Sequence, residues 1–167
     1  MDSKVFALVG SALICLGAGA VCSRRHQATV TRRAGVVMKT MRQTNGLALR
    51  IPDGAYEVAE TAAGFRLTVA GSSRRRKHPI RVKVELRSGG APPGSFPETR
   101  TVEGQVYRYR VDTDEGGSSG EEQILRAWRL VGDRHVWIEE ETMVEPPATA
   151  DFTVAWEVAA AVDPSPR

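Results

Sequence analysis

A few groups of side chains in this chain have the types and spacing that chemistry requires. Asp112-Thr113-Asp114-Glu115-Gly116 sets oxygen ligands at alternate positions, ahead of a glycine that permits a sharp turn. That is how a calcium loop opens. The position that would hold its bidentate glutamate is Gln123, so Glu121 or Glu122 would have to substitute. The other reading is a solvated acidic loop. Glu139-Glu140-Glu141 is the densest run of carboxylates. In a strand, alternation puts Glu139 and Glu141 on one face with Trp137, and Glu140 on the other with Val136 and Ile138. Glycosidase chemistry needs a second acid at a fixed separation, and nothing in the sequence locates one. An acidic strand face is ordinarily an exposed one, and it would also suit a basic partner.

The remaining candidates are weaker. His26, His78 and His135 are too scattered for a metal site and read as surface histidines. Ser118-Ser119 lies in no G-x-S-x-G context. Gly89-Gly90 and Gly116-Gly117 lack the strand, loop and helix order of phosphate binding. Arg74–Lys77 with Arg81, Lys83 and Arg87 forms a basic patch without interleaved aromatics. It either opposes the acidic segment across a sheet or marks a second contact surface, and nucleic acid is not the expected partner. The residues assemble no catalytic set, so the chain reads as a non-enzyme.

The elements that must position these residues are mostly strands. Arg108–Val144 carries the densest strand signal. Val106–Val111 alternates, Asp112–Gly120 is a Gly/Ser/Asp loop, and Gln123–Leu130 and His135–Met143 flank the tight turn Val131-Gly132-Asp133-Arg134. This predicts an antiparallel meander. Upstream, Val36–Gln43 and Leu47–Ile51 read as strands. Tyr56–Glu60 and Phe65–Val69 form a hairpin, and Thr99–Val102 pairs with Val106–Val111. Ile80, Val82, Val84 and Leu86 alternate with Arg81, Lys83, Glu85 and Arg87, which predicts one buried face and one face in solvent. Over Ala148–Val162 the period changes to helical. Phe152, Ala155, Trp156, Ala159 and Val162 share one stripe, with Thr149 or Asp151 able to cap its start. The three tryptophans, Trp128, Trp137 and Trp156, read as core. The expectation is an α+β domain of six to nine mostly antiparallel strands closed by a C-terminal amphipathic helix.

Charge and hydropathy divide the chain. Residues 1–33 carry Lys4, Arg24, Arg25, Arg32 and Arg33 against Asp2, and the remainder has 18 basic against 19 acidic residues, so the net charge of +3 comes from the front. Val5–Val21 is an uncharged apolar run, and Ala18-Gly19-Ala20 fits a signal-peptidase site. Residues 1–22 therefore read as a signal peptide or a membrane anchor, and 23–34 as a basic linker. Residues 35–163 read as one binding domain, and 164–167 as a tail. Both cysteines, Cys15 and Cys22, lie in the first segment, so the domain has neither a disulfide nor a thiolate site.

Two stretches carry a family resemblance. Leu47–Leu67, LALRIPDGAYEVAETAAGFRL, resembles the opening of small bacterial envelope domains of the PsbP/Mog type. Gly116–Trp128, GGSSGEEQILRAW, is followed by a hairpin and a closing helix with Asp151-Phe152 and Ala155-Trp156. Together they resemble the immunity proteins that protect type VI secretion bacteria from their own cell-wall-degrading effectors. The resemblance implies a PsbP/Mog-like domain that binds and inhibits a cognate muramidase-like toxin in the periplasm by occluding its substrate groove. It implies no cofactor of the chain's own, with calcium at the partner interface as an option. The chain departs from the family's lipoprotein signal, because Val21 precedes Cys22. The expected contact residues are Asp112, Asp114, Glu115, Ser118, Ser119, Glu121 and Glu122, with Arg108 and Arg110 at the rim. Asp112 and Asp114 are the metal candidates. The competing expectation is an accessory envelope protein held in the inner membrane by its first segment.

Overall fold

The alternating segments become strands wherever one side of the alternation has a layer to cover it. The computed structural model describes residues 29–33, 36–70, 79–114, 120–145 and 148–164. The apolar run Val5–Val21 and the first part of the basic linker lie outside these residues. No helix among the described residues is long and apolar enough to cross a membrane.

Among the described residues, eleven strands and one helix follow in order: β1 Thr29–Arg33, β2 Val36–Arg42, β3 Leu47–Pro52, β4 Tyr56–Glu60, β5 Gly64–Val69, β6 Arg81–Ser88, β7 Glu98–Val102, β8 Gln105–Asp114, β9 Glu121–Val131, β10 Arg134–Val144, α1 Thr153–Ala161 and β11 Val162–Pro164. They form a four-stranded sheet in the order β1-β2-β3-β11 and a seven-stranded sheet in the order β4-β5-β6-β10-β9-β8-β7. Every pairing is antiparallel. Thr29–Arg33, which composition assigned to the linker, pairs instead with Val36–Thr40. The helix ends at Ala161, and Val162, Asp163 and Pro164 extend the small sheet beside β3.

The period-2 pattern sorts the large sheet into two faces. Val82, Val84, Leu86, Leu125, Ala127, Val136, Ile138 and Tyr107 point inward and join Phe65, Leu67 and the apolar stripe of α1 in one cluster. Leu47, Leu49 and Ile51 of β3 belong to the same cluster, so the helix and the small sheet share the inner side. Trp128 and Trp137 stand opposite each other on the outer face and form a second cluster with Phe96. The Glu103-Gly104 and Gly132-Asp133 turns close two-residue hairpins. Gly132 has φ 62, the left-handed region such turns demand.

The β6–β7 connection explains the second cluster. β6 and β7 are separated in the sheet by β10, β9 and β8, so residues 89–97 must cross three strands. They cross on the outer face, where Phe96 meets Trp128 and Trp137 edge-on with centroids 6.2 and 5.9 Å away. The Gly89 carbonyl lies 3.2 Å from His135 Nδ1. His135, read from sequence as a surface histidine, is therefore buried at 5% exposure. A residue after a turn looks exposed until a distant segment folds over it.

Among the described residues, the inner face fully buries one acid. Glu140 is 2% exposed, and its Oε2 accepts the Ala155 N–H at 2.6 Å. Residue 155 lies in the first turn of α1, whose orphan N–H groups need acceptors. The expected cap is supplied only in part: Asp151 Oδ1 accepts the Thr153 N–H at 3.0 Å, while Phe152 occupies the cap position at φ 52. A strand glutamate thus completes the helix start. Burial pushes its carboxyl up to about 7, the Ala155 N–H pulls it back, and Asp151 nearby raises it further.

Candidate partner-binding face

Beyond the crossover, the outer face of the large sheet is open and its side chains are charged. Strand alternation places Arg108, Arg110, Asp112 and Asp114 of β8 on it, with Glu122, Ile124 and Arg126 of β9. Glu139 and Glu141 of β10 share it, as do Arg81, Lys83, Glu85 and Arg87 of β6 and Arg66 of β5.

About half of this charge is neutralised within the sheet. Arg126 stands between β8 and β10 and bridges both. Its Nε donates to Glu139 Oε2 at 3.0 Å, and its Nη1 pairs with Asp112 Oδ2. Arg110 Nε lies 3.2 Å from the same oxygen. Arg110 and Arg126 are direct cross-strand neighbours, an arrangement of like charges that is unfavourable unless a counter-ion is shared, and Asp112 is that counter-ion. Partial burial pulls the Arg126 guanidinium down, but the bonds to Glu139 and Asp112 outweigh it and hold its pKa above the ordinary value. On β6, Glu85 is clamped by Lys83 Nζ at 2.9 Å and by Arg87 Nη2 at 2.6 Å. Burial opposes its ionisation, yet hydrogen bonds from Lys83 and Arg87 hold its carboxyl below the ordinary range. The Arg87 guanidinium also lies 4.3 Å from the Trp137 ring centroid, and Arg110 caps Phe96 at 5.0 Å.

The expected contact residues separate under this geometry. Arg108, Arg110, Asp112, Asp114 and Glu122 share the outer face, and Asp114 stands directly opposite Glu122. Glu121 alternates to the other face. Glu115, Ser118 and Ser119 lie outside the described residues. Asp112 and Asp114 belong to the strand, not to a metal loop, since β8 runs through Asp114. Asp112 is committed to two guanidinium groups, which removes a carboxylate oxygen from any cation. No group of three metal-ligating side chains occurs among the described residues, so calcium has no support from this chain.

Sequence reasoning missed the role of Arg126. Its position between Ile124 and Trp128 in an alternating strand was the available signal, but which acids flank it depends on the strand order. It also missed Arg66. Arg66, Arg81 and Lys83 line a groove of about 300 Å³ with Val82, Glu139 and Glu141. Of the basic patch read from sequence, Arg74–Lys77 lie outside the described residues, and the rest is divided. Lys83 and Arg87 are consumed by Glu85, while Arg81 faces the groove.

The sequence also has relatives. A family model, described as the type six secretion immunity 3 domain, matches residues 48–163. The chain is 31% identical over 118 residues to the "Immune protein Tsi3" of Pseudomonas aeruginosa, covering 71% of this chain and 77% of that protein.

Proposed function

Because the chain belongs to the type six secretion immunity 3 family, and is therefore a binding protein and not an enzyme, we propose that it neutralises a muramidase-like toxin by occluding its substrate groove. The immunity function itself rests on family membership. The match over residues 48–163 is the single observation that carries it, because that span includes both faces of the large sheet. The site of action in this proposal is the periplasm, reached through the apolar run at Val5–Val21. The mostly antiparallel sheet with one closing helix supports the PsbP/Mog-type likeness.

The contact surface we favour is the outer rim at Asp112, Asp114 and Glu122, continued by the segment that holds Glu115, Ser118 and Ser119. Asp114 and Glu122 make no ion pair among the described residues. Two like charges placed directly opposite each other cost stability in the free protein, and a cationic or metal-bearing partner surface would relieve that cost.

The test uses the full chain and its cognate secreted toxin. Isothermal titration is expected to give a tight one-to-one complex, and excess immunity protein is expected to abolish cell-wall hydrolysis. Asp114→Lys with Glu122→Lys is expected to weaken binding by about 100-fold. Titration with calcium and with chelator would show whether a metal on the toxin's side bridges the contact. Absence of any complex would sink the inhibitor reading. An intact complex with the charge-reversed chain would move the contact surface elsewhere.

A further inference from the structure

The outer face carries a second place where charge is left over, and it has the opposite sign. At the groove of about 300 Å³ between β5, β6 and β10, three cations meet two acids: Arg66, Arg81 and Lys83 against Glu139 and Glu141. Two of the five are already engaged. Lys83 is held by Glu85, and Glu139 is held by Arg126. Arg66 and Arg81 remain, with Glu141 alone as a neighbouring acid. Neither arginine makes an ion pair among the described residues, although Glu141 stands directly opposite Arg81. Arg66 stands directly opposite Lys83 in the β5–β6 ladder, so two like charges are paired across the strands at a cost to the fold. Both arginines are exposed, and each retains a planar fork of donors shaped for a carboxylate.

We propose that Arg66 and Arg81 receive the active-site carboxylates of the toxin. This rests on the inhibitor reading above and deepens it. A muramidase-like hydrolase cleaves its substrate with a pair of acids flanking the scissile bond, so its groove presents carboxylates to whatever fills it. A surface built only of acids would be repelled there. The groove supplies cations at the place where neutralisation within the sheet is incomplete. The acids at Asp114 and Glu122 lie across β10 and β9 from it, which gives the outer face two charged ends of opposite sign. A partner groove with basic walls and an acidic floor is complementary to both ends.

The experiment is a double-mutant cycle by isothermal titration with the full chain and its cognate secreted hydrolase. Arg66→Ala with Arg81→Ala is expected to weaken binding to the native hydrolase by about 100-fold. Against a hydrolase whose two active-site acids are changed to amides, the same variant is expected to lose less than about 3-fold. Arg66→Lys with Arg81→Lys keeps the charge and loses the fork, and is expected to fall between. Thermal unfolding of each variant within about 2 °C of wild type establishes that folding is intact.

Three results would overturn the proposal. If the wild-type chain fails to bind at all, the inhibitor reading falls and this inference with it. Should the wild type bind and the alanine variant match it, only the assignment of these arginines fails. An equal loss against the native and amide hydrolases would mean that the arginines contact something other than the active-site acids.

Discussion

The two faces of the seven-stranded sheet are built from the same strands and differ in what they do with charge. The inner face fully covers one ionisable carboxylate among the described residues, Glu140, and holds it against the start of α1. The outer face carries many charges and compensates about half of them in pairs, leaving Arg66, Arg81, Arg108, Asp114, Glu122 and Glu141 without an ion pair among the described residues. A buried carboxylate must be hydrogen-bonded or neutralised, because water cannot reach it. An exposed one costs little and can be kept for a partner. The difference teaches where to look for each property: stability resides in the covered face, and recognition in the uncompensated charges of the open one.

The sharpest way to break this division is to truncate an inner residue and ask whether binding follows. Ile138 is 1% exposed at the centre of the cluster. Ile138→Ala is expected to cost about 3 to 4 kcal/mol by lost burial and a residual cavity, read by denaturant unfolding. Measured where the variant is still fully folded, its affinity for the hydrolase is expected to stay within about 3-fold of wild type, since surface contacts are unchanged. A large affinity loss in the folded variant would show that the two faces are coupled.

The next largest effect concerns pH. In the unfolded chain Glu140 titrates at its ordinary 4.5, and in the fold at about 7. The folded state therefore binds the extra proton across that window. The stabilisation is fully present below about pH 4.5 and is lost as pH rises through 7, by roughly 3 kcal/mol. Glu85 titrates in the opposite sense, and its contribution is lost only as pH falls below the ordinary carboxyl value, outside this window. Unfolding free energies of the wild type are thus expected to decline from pH 4.5 to 7. Glu140→Gln keeps an acceptor for the Ala155 N–H and carries no charge, so its profile is expected to be flat there. It should exceed wild-type stability at pH 8. A slope that survives the substitution would assign the effect to another group.

A smaller effect is expected where a polar group ties the sheet to the helix. The Tyr107 hydroxyl donates to the Ala159 carbonyl at 3.2 Å and accepts from Arg129 Nε at 3.0 Å. Tyr107→Phe keeps the ring against Trp156 and leaves both partners unpaired. Its expected cost is about 1 to 2 kcal/mol, checked by thermal unfolding against the Ile138→Ala chain.

The sequence was readable where a pattern is local and failed where the answer depends on a distant segment. β6 shows the first case. Its alternation named Val82, Val84 and Leu86 as the buried side, and they are buried. The meander shows it too: the turn at Gly132 set the register that puts Trp137 opposite Trp128. Alternation also assigned Glu139 and Glu140 to opposite faces correctly. What it could not say is which face α1 would cover, so Glu140 was placed with Val136 and Ile138 but its burial against the helix start was not foreseen. His135 failed for the same reason, since its cover comes from residues 89–97 crossing three strands. Asp112 and Asp114 matched a calcium loop by spacing alone. The guanidinium groups that occupy Asp112 arrive from Arg110 beside it and from Arg126 on the next strand, and only the pairing brings them there. At Thr29–Arg33 the basic residues outweighed a β-branched pattern, and a strand was read as linker.

The weakest expected effect separates pairing from recognition on the outer face itself. Asp112 is shared by Arg110 and Arg126, with about two-fifths of its side chain exposed. Ion pairs that open to water contribute little, roughly 0 to 1 kcal/mol, so Asp112→Asn is expected to lower stability by about 0.5 kcal/mol. The substitution frees the Arg110 guanidinium and leaves Arg126, directly opposite it, to Glu139 alone. If recognition depends on uncompensated charge, freeing Arg110 should change affinity more than stability, and the change should be salt-dependent. Titration of the hydrolase at low and at physiological ionic strength reads this directly. A variant that loses stability but binds as before at both salts would place Asp112 among the residues that hold the sheet together, and would confine the contact surface to Asp114, Glu122 and the groove at Arg66 and Arg81.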